Sequence, residues 1–162
     1  CTNHWYTRDM TDRDPLALEE QVCFALAVAS REVVASYKSV LEPLGLTHPQ
    51  YLVMLALWQH DADDADDLSV KALSSMLHLD PGTASPLLKR LEAAGLVSRR
   101  RSTTDERVLV VGVTPAGREL RRRALAVPST MLARLAMTEA DLVATNDVLH
   151  RIIDAAHESQ DS

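Results

Sequence analysis

The 162-residue sequence has little of what several protein classes require. Two cysteines, Cys1 and Cys23, are too few for a disulfide framework, and their spacing does not match a zinc site. No apolar run approaches the roughly 20 residues that span a bilayer, and no secretory leader is visible, so a cytoplasmic protein with no membrane partner is expected. There is no overall basic excess: 17 Lys and Arg stand against 23 Asp and Glu, a formal charge of −6. The acidic run Asp61-Ala62-Asp63-Asp64-Ala65-Asp66-Asp67 contains no turn glycine and lacks calcium-loop spacing, which makes it a solvated loop. Neither a metal nor a cofactor is expected. What is present is a length suited to one domain, or to a small lobe with an added helical region, and 46% hydrophobic residues, enough for a core.

Residues 68–113 carry the most information. Ser69 is placed to cap a helix over 70–77, with Leu68 stapling to Leu73. Asp80 then caps a second helix that opens on Pro81, where the missing N–H costs nothing, and Gly95 ends it. Ala84, Leu87, Leu88 and Leu91 recur at helical spacing and face the core, which leaves Gly82, Thr83, Ser85, Pro86, Lys89 and Arg90 on the outer face. Pro86, inside the helix, should bend it. Residues 96–101 and 107–113 read as the strands of a hairpin around a polar tip at 102–106. Between Lys89 and Arg107 six cationic side chains stand against three anionic ones, a local positive excess on an acidic chain. A small, polar, then basic helix followed by a basic hairpin is the outline of a winged helix-turn-helix. The helix suits a major groove, with Arg99, Arg100, Arg101, Asp105 and Arg107 on the wing, and double-stranded DNA is the partner implied. The expected fold class is mainly α with a small β-hairpin.

The flanks read as helices around this reading head. Residues 1–14 are polar and mixed, a flexible arm. Residues 15–67 hold a first helix from Asp14-Pro15 through Leu26 and Tyr37 to Leu44, stopped by Gly45, and a second from Pro49 to about His60, opened by a capping box of Thr47 and Gln50. In residues 114–162, Thr114-Pro115 caps a helix that runs to Pro128 and breaks there, and Thr138 starts a last helix with Leu142, Leu149, Ile152 and Ile153 inward. These helices carry more apolar surface than a small winged domain needs, which points to a homodimer with a shared helical core, domain-swapped or not. His150 and His157 read as surface polar residues. Taken alone, Cys23 on an apolar helix is either a small buried hydrophobe or a reactive thiol.

Leu87-Leu88-Lys89-Arg90-Leu91-Glu92, Gly95-Leu96-Val97, Asp105-Glu106-Arg107 and Val113-Thr114-Pro115-Ala116-Gly117 together resemble the MarR family of dimeric bacterial transcription factors. The resemblance implies that Asp105 orients Arg107 for insertion into a minor groove. Glu20-Gln21-Val22-Cys23-Phe24-Ala25-Leu26, the later Tyr37, and Leu46-Thr47-His48-Pro49-Gln50-Tyr51 resemble the organic-hydroperoxide-sensing subgroup of that family, the OhrR repressors. That second resemblance implies a repressor whose Cys23 is oxidised by an organic hydroperoxide to a sulfenic acid, which condenses with a thiol and releases the operator, with Tyr37 hydrogen-bonding to the thiolate. His48 stands where the subgroup commonly has a second tyrosine, and Ala27 where it often has another aromatic. His48 is either a hydrogen-bond donor to the thiolate, neutral or protonated, or a helix-start histidine exposed to water, and Ala27 would enlarge the pocket. Two-cysteine members use a cysteine in the late helices of the partner chain. Residues 115–162 contain none, so a low-molecular-weight thiol is the expected resolving partner, with Cys1 as the lesser candidate.

Helix geometry constrains this pair. Tyr37 lies fourteen residues beyond Cys23, about 21 Å along a straight helix. A tyrosine reaches well short of that, so Tyr37 would have to come from the partner chain, and His48 is assigned to that chain with it. Counted from Asp14-Pro15, Cys23 sits past the first turn and has no flanking Lys, Arg or His, so only hydrogen bonds supplied from elsewhere would favour its thiolate. Two other classes stay open. One is a MarR-type repressor released by a small aromatic ligand, with Cys23 inert. The other is a thiol peroxidase, which would need a general acid and a resolving cysteine that the sequence does not place, so no enzyme is expected.

Overall fold

The computed structural model describes residues 14–62 and 67–159. They fall into two units, divided between Ser36 and Tyr37. The arm expected over 1–13 and the centre of the acidic loop, 63–66, lie outside the described residues.

In the first unit, the Asp14-Pro15 pair starts a turn and not a helix. Asp14 accepts from the Leu16 N–H at 2.9 Å, and a 3-10 turn follows at Leu18–Glu20. Gln21 is extended (φ −85°, ψ 116°), its side-chain amide donating to the carbonyls of Pro15 at 2.7 Å and Ala17 at 3.1 Å. Helix α1, Val22–Leu41, therefore begins well after the start expected from the capping pair. Its far end, in the second unit, also stops short of Leu44. Pro43 cannot donate to the helix ladder, so the chain passes into a 3-10 turn at Glu42–Leu44 and is turned by Gly45 at φ 69°, which only glycine adopts freely.

The rest of the second unit contains α2 (His48–Ala62), β1 (Leu68–Ser69), α3 (Val70–Met76), α4 (Pro81–Ala93), β2 (Val97–Arg101), β3 (Leu109–Val113), α5 (Pro115–Ala124), α6 (Val127–Arg134) and α7 (Glu139–Glu158). The caps explain the starts. Thr47 N–H donates to the Gln50 carboxamide at 2.9 Å, Ser69 Oγ accepts from Ala72 N–H at 3.1 Å, and Thr114 Oγ1 accepts from Gly117 N–H at 3.1 Å. The strands form an antiparallel sheet in the order β1-β3-β2, with Leu68 opposite Val111 and Val97 opposite Val113. The expected hairpin is thus a three-stranded sheet, because two-residue β1 is too short to show an alternating pattern. β3 starts at Leu109, later than expected, since the Val108 N–H closes the tip by donating to Asp105 O at 2.9 Å.

The core lies between α2, α3, α4 and the inner face of the sheet, where Leu41, Met54, Leu57, Leu73, Leu88, Leu91, Val97 and Val111 are almost completely enclosed. α5 ends at Ala124, before Pro128, and Pro128 lies in the first turn of α6, so it opens a helix where it was expected to break one. Thr138 and Asp141 form a reciprocal capping box at the start of α7. The inward face expected for α7 is not covered within one chain: Leu142, Ile152 and Ile153 remain 36–41% exposed. Among the described residues, no helix is long and apolar enough to cross a membrane.

Candidate nucleic-acid interface and sensor residues

Helix α4 divides as its periodicity predicts. Ala84, Leu87, Leu88 and Leu91 are buried, while Gly82, Thr83, Pro86, Lys89 and Arg90 are exposed and Ser85 is half-buried. Asp80 locks the start of the helix, accepting from Thr83 N–H at 3.0 Å and from Thr83 Oγ1 at 2.7 Å. The same two bonds hold the Asp80 carboxyl below its ordinary range. Pro86 lies within an α4 that continues through it.

The wing arginines do not all present free charge. Arg99 folds back on the last turn of α4, its Nε donating to Glu92 Oε2 at 2.9 Å and its backbone N–H to Glu92 Oε1 at 3.2 Å, with its side chain 18% exposed. Arg100 pairs with Asp67 at 2.8 Å. Arg101 and Arg107 are exposed, and Arg101 donates to the Arg107 carbonyl at 3.3 Å. Asp105 grips Arg107 through the backbone N–H at 3.0 Å, so in this state it shapes the tip without holding the guanidinium. The root of the wing is fixed to α5. Thr114 Oγ1 donates to Gly95 O at 2.6 Å, and a Cβ at Gly117 would stand 2.2 Å from Leu96 O, a close approach that only glycine permits.

In the first unit, Cys23 is a free, exposed thiol at the second position of α1. The sequence reading placed it past the first turn. The break at Gln21 moves it into that turn, at the end of α1 where the backbone N–H groups point out of the helix.

In the second unit, Tyr37 and His48 lie ring to ring at 4.9 Å, and Tyr51 joins them at 5.9 Å from Tyr37. Burial raises the Tyr37 and Tyr51 hydroxyls above their ordinary value and lowers His48 below 6.5. Near neutrality all three are uncharged donors, and the protonated alternative for His48 is disfavoured. In the sequence Tyr51 stands only as part of the motif at 46–51, with no role of its own. Its position one turn after His48 on α2 was the signal that it shares the cluster. Tyr51 also reaches Trp58 at 6.5 Å, and Trp58 Nε1 donates to Gly117 O at 2.9 Å in the buried interior. One turn on, Asp61 forms a two-pronged pair with Arg118 at 2.8 and 2.6 Å, which holds its carboxyl below the usual range. Between α2, α5 and α6 lies a mostly apolar cavity of about 540 Å³, bounded by Tyr51, Leu55, Trp58, Leu125 and Pro128 with Arg121 among them.

A polar-to-basic helix set against a three-stranded wing defines a winged helix-turn-helix protein of the DNA-binding class. Residues 35–123 match the family model described as Transcriptional regulator SarA/Rot. The chain belongs to that family of transcriptional regulators, whose fold is the winged helix of MarR-type proteins. It is 38% identical to the organic hydroperoxide resistance transcriptional regulator of Bacillus subtilis (strain 168), over 90% of this chain and 95% of that one. It is 41% identical to the HTH-type transcriptional regulator TtmR of Methylorubrum extorquens (strain PA1), over 89% of this chain and 71% of that one. Among solved structures, reduced AbfR bound to DNA, a Staphylococcus epidermidis protein, is similar with a TM-score of 0.72 and 26% identity, covering 87% of this chain and 93% of that one.

Proposed function

We propose that this protein is a homodimeric repressor that holds operator DNA while Cys23 is reduced and releases it once an organic hydroperoxide has oxidised that sulfur. The observation that carries the reading is the exposed Cys23 in the first turn of α1, on a chain that also presents Tyr37 and His48 as adjoining neutral donors. The thiolate attacks the outer peroxide oxygen. An S–O bond forms, the O–O bond breaks, and the alkoxide leaves to be protonated as the alcohol. A low-molecular-weight thiol then condenses with the sulfenic acid, giving a mixed disulfide and water. Tyr37 and His48 of a second copy supply the hydrogen bonds to the sulfur: fourteen residues of helix, about 21 Å, separate Cys23 from Tyr37 in sequence, beyond a tyrosine's reach, and His48 adjoins Tyr37. The exposed apolar face of α7 supports the dimer, because a second copy would cover it. Two α4 helices about 34 Å apart then meet successive major grooves. Lys89, Arg90, Arg101 and Arg107 carry the duplex contacts in a cytoplasmic protein.

The cavity beside Arg121 favours a second reading, release by a small aromatic ligand with Cys23 inert. One titration separates the two. Operator fragments selected on the reduced protein are shifted on a gel while cumene hydroperoxide and then dithiothreitol are added. Wild type should let go and rebind, and Cys23→Ser should hold throughout. Release of both proteins alike would end the thiol reading.

A further inference from the structure

From the sequence alone His157 reads as a surface polar residue. In the structure the last turn of α7 brings it against His78, in the turn between α3 and α4, with ring centroids 5.0 Å apart and planes inclined at 36°. We propose that these two imidazoles form a binding site for a divalent transition-metal ion such as zinc or nickel.

Two independent observations support it. The first is the separation. With zinc–nitrogen bonds of about 2.0–2.1 Å, each ring centre stands roughly 3.2 Å from the metal, and at a tetrahedral angle two such centres stand about 5.2 Å apart. The observed separation of the ring centres, 5.0 Å, agrees with that value. The second is the backbone of His78. Leu79 N–H donates to Ser74 O at 2.9 Å and His78 N–H to Ser75 O at 3.1 Å, the helix-ending arrangement in which the left-handed residue is usually glycine. Here that residue is His78, at φ 50°, one of two non-glycine residues with positive φ among those described. A side chain is kept where none is needed for the turn, at a backbone cost.

Among the described residues no third His, Cys, Asp or Glu completes the set, so water fills the remaining positions and the ion is held less tightly than at a site with three or four protein ligands. Occupied, the site ties the end of α7 to the turn that leads into Asp80, the cap of α4. It is independent of the peroxide chemistry and survives if that reading fails.

The test titrates zinc chloride into the full chain against a chromophoric zinc indicator, with thermal melts alongside. Wild type should take one ion per chain and melt a few degrees higher when saturated. His78→Gly should melt higher than wild type without metal, because glycine suits the left-handed turn, yet lose at least tenfold in zinc affinity. His157→Gln should lose the same, and His150→Gln should behave as wild type. Unchanged zinc affinity in both His78→Gly and His157→Gln, or no uptake by wild type at millimolar zinc, would reduce the pair to a ring contact and overturn the proposal.

Discussion

The four arginines of the wing should separate into two paired within the fold, Arg99 and Arg100, and two that meet DNA, Arg101 and Arg107, and salt dependence tells them apart. Arg99 is held in the Glu92 fork and is largely enclosed, whereas Arg101 is exposed on the same strand two residues on. Each phosphate neutralised by a cation contributes about 0.9 to the slope of log affinity against log salt. In a dimer Arg101→Gln removes two such contacts, so the slope should shrink by about 1.8, and the affinity lost between about 50 and about 200 mM salt should be some twelvefold smaller than for wild type. Arg99→Gln should weaken binding by a similar factor at every salt concentration, leave the slope as it was, and lower the melting temperature, because the wing loses its tether to α4. Fluorescence anisotropy of a labelled operator duplex over a potassium chloride series reads both quantities. If Arg99→Gln lost as much slope as Arg101→Gln, Arg99 would be a phosphate ligand, and the division drawn from the Glu92 pair would be refuted.

Gly117→Ala should cost about 3 kcal/mol or more, since the added carbon meets the Leu96 carbonyl oxygen at 2.2 Å and Val113 Cγ1 at 2.8 Å. At 2–4 °C per kcal/mol, calorimetry should show a fall of roughly 6–12 °C, against about 1–2 kcal/mol for Gly45→Ala, where the cost is the positive φ alone. Asp61 is held below its ordinary value of 3.8 by Arg118, so its contribution is complete above that value and is lost as pH falls through the depressed one. Urea melts of Asp61→Asn should therefore differ from wild type at neutral pH and converge in acid. His48 is displaced downward from 6.5 by burial, so the unfolded chain takes up the proton first. The stability it contributes is whole above 6.5 and declines below it, and His48→Gln should flatten that part of the stability profile.

Most of the reading head was legible because its signals are local. Asp80-Pro81 and Ser69 cap where capping chemistry says they must, and the spacing of Leu87, Leu88 and Leu91 fixes which face of α4 is dry. What escaped depends on partners far along the chain. Nothing in the sequence near Leu68 announces that it pairs with Val111, and the pairing of Arg99 with Glu92 appears only once the turn at Gly95 brings strand and helix together. The start of α1 was misjudged for a different reason. Asp14-Pro15 is a sound cap, but the Gln21 side chain supplies a competing set of bonds to Pro15 and Ala17, and these stabilise a turn in place of the first helical residues. The error bears on chemistry, because it decides whether Cys23 sits inside a helix or at its positive end.

A change at Tyr37 and His48 can affect the wing only through something that touches both regions, and Trp58 does. Its ring faces Tyr51 at 6.5 Å, Tyr51 faces Tyr37, and its indole N–H holds Gly117 O, on the same residue whose missing side chain lets α5 approach Leu96 at the root of β2. From His48 to Asp61, α2 spans about 20 Å and carries the aromatic cluster at one end and its anchors to α5 at the other. Trp58→Phe keeps a ring against Tyr51 but leaves a buried carbonyl without its donor, at about 1–3 kcal/mol, which a melt should show as a fall of roughly 2–12 °C. Thiol titration should find Cys23 oxidised as fast as in wild type, because the phenyl ring keeps Tyr51, and with it the Tyr37 and His48 donors, in place. The fraction of operator released per oxidised sulfur should nevertheless drop, as the helix has lost its grip on α5. A variant that melts lower yet releases DNA as completely as wild type would show that the indole bond holds the fold together without relaying the signal.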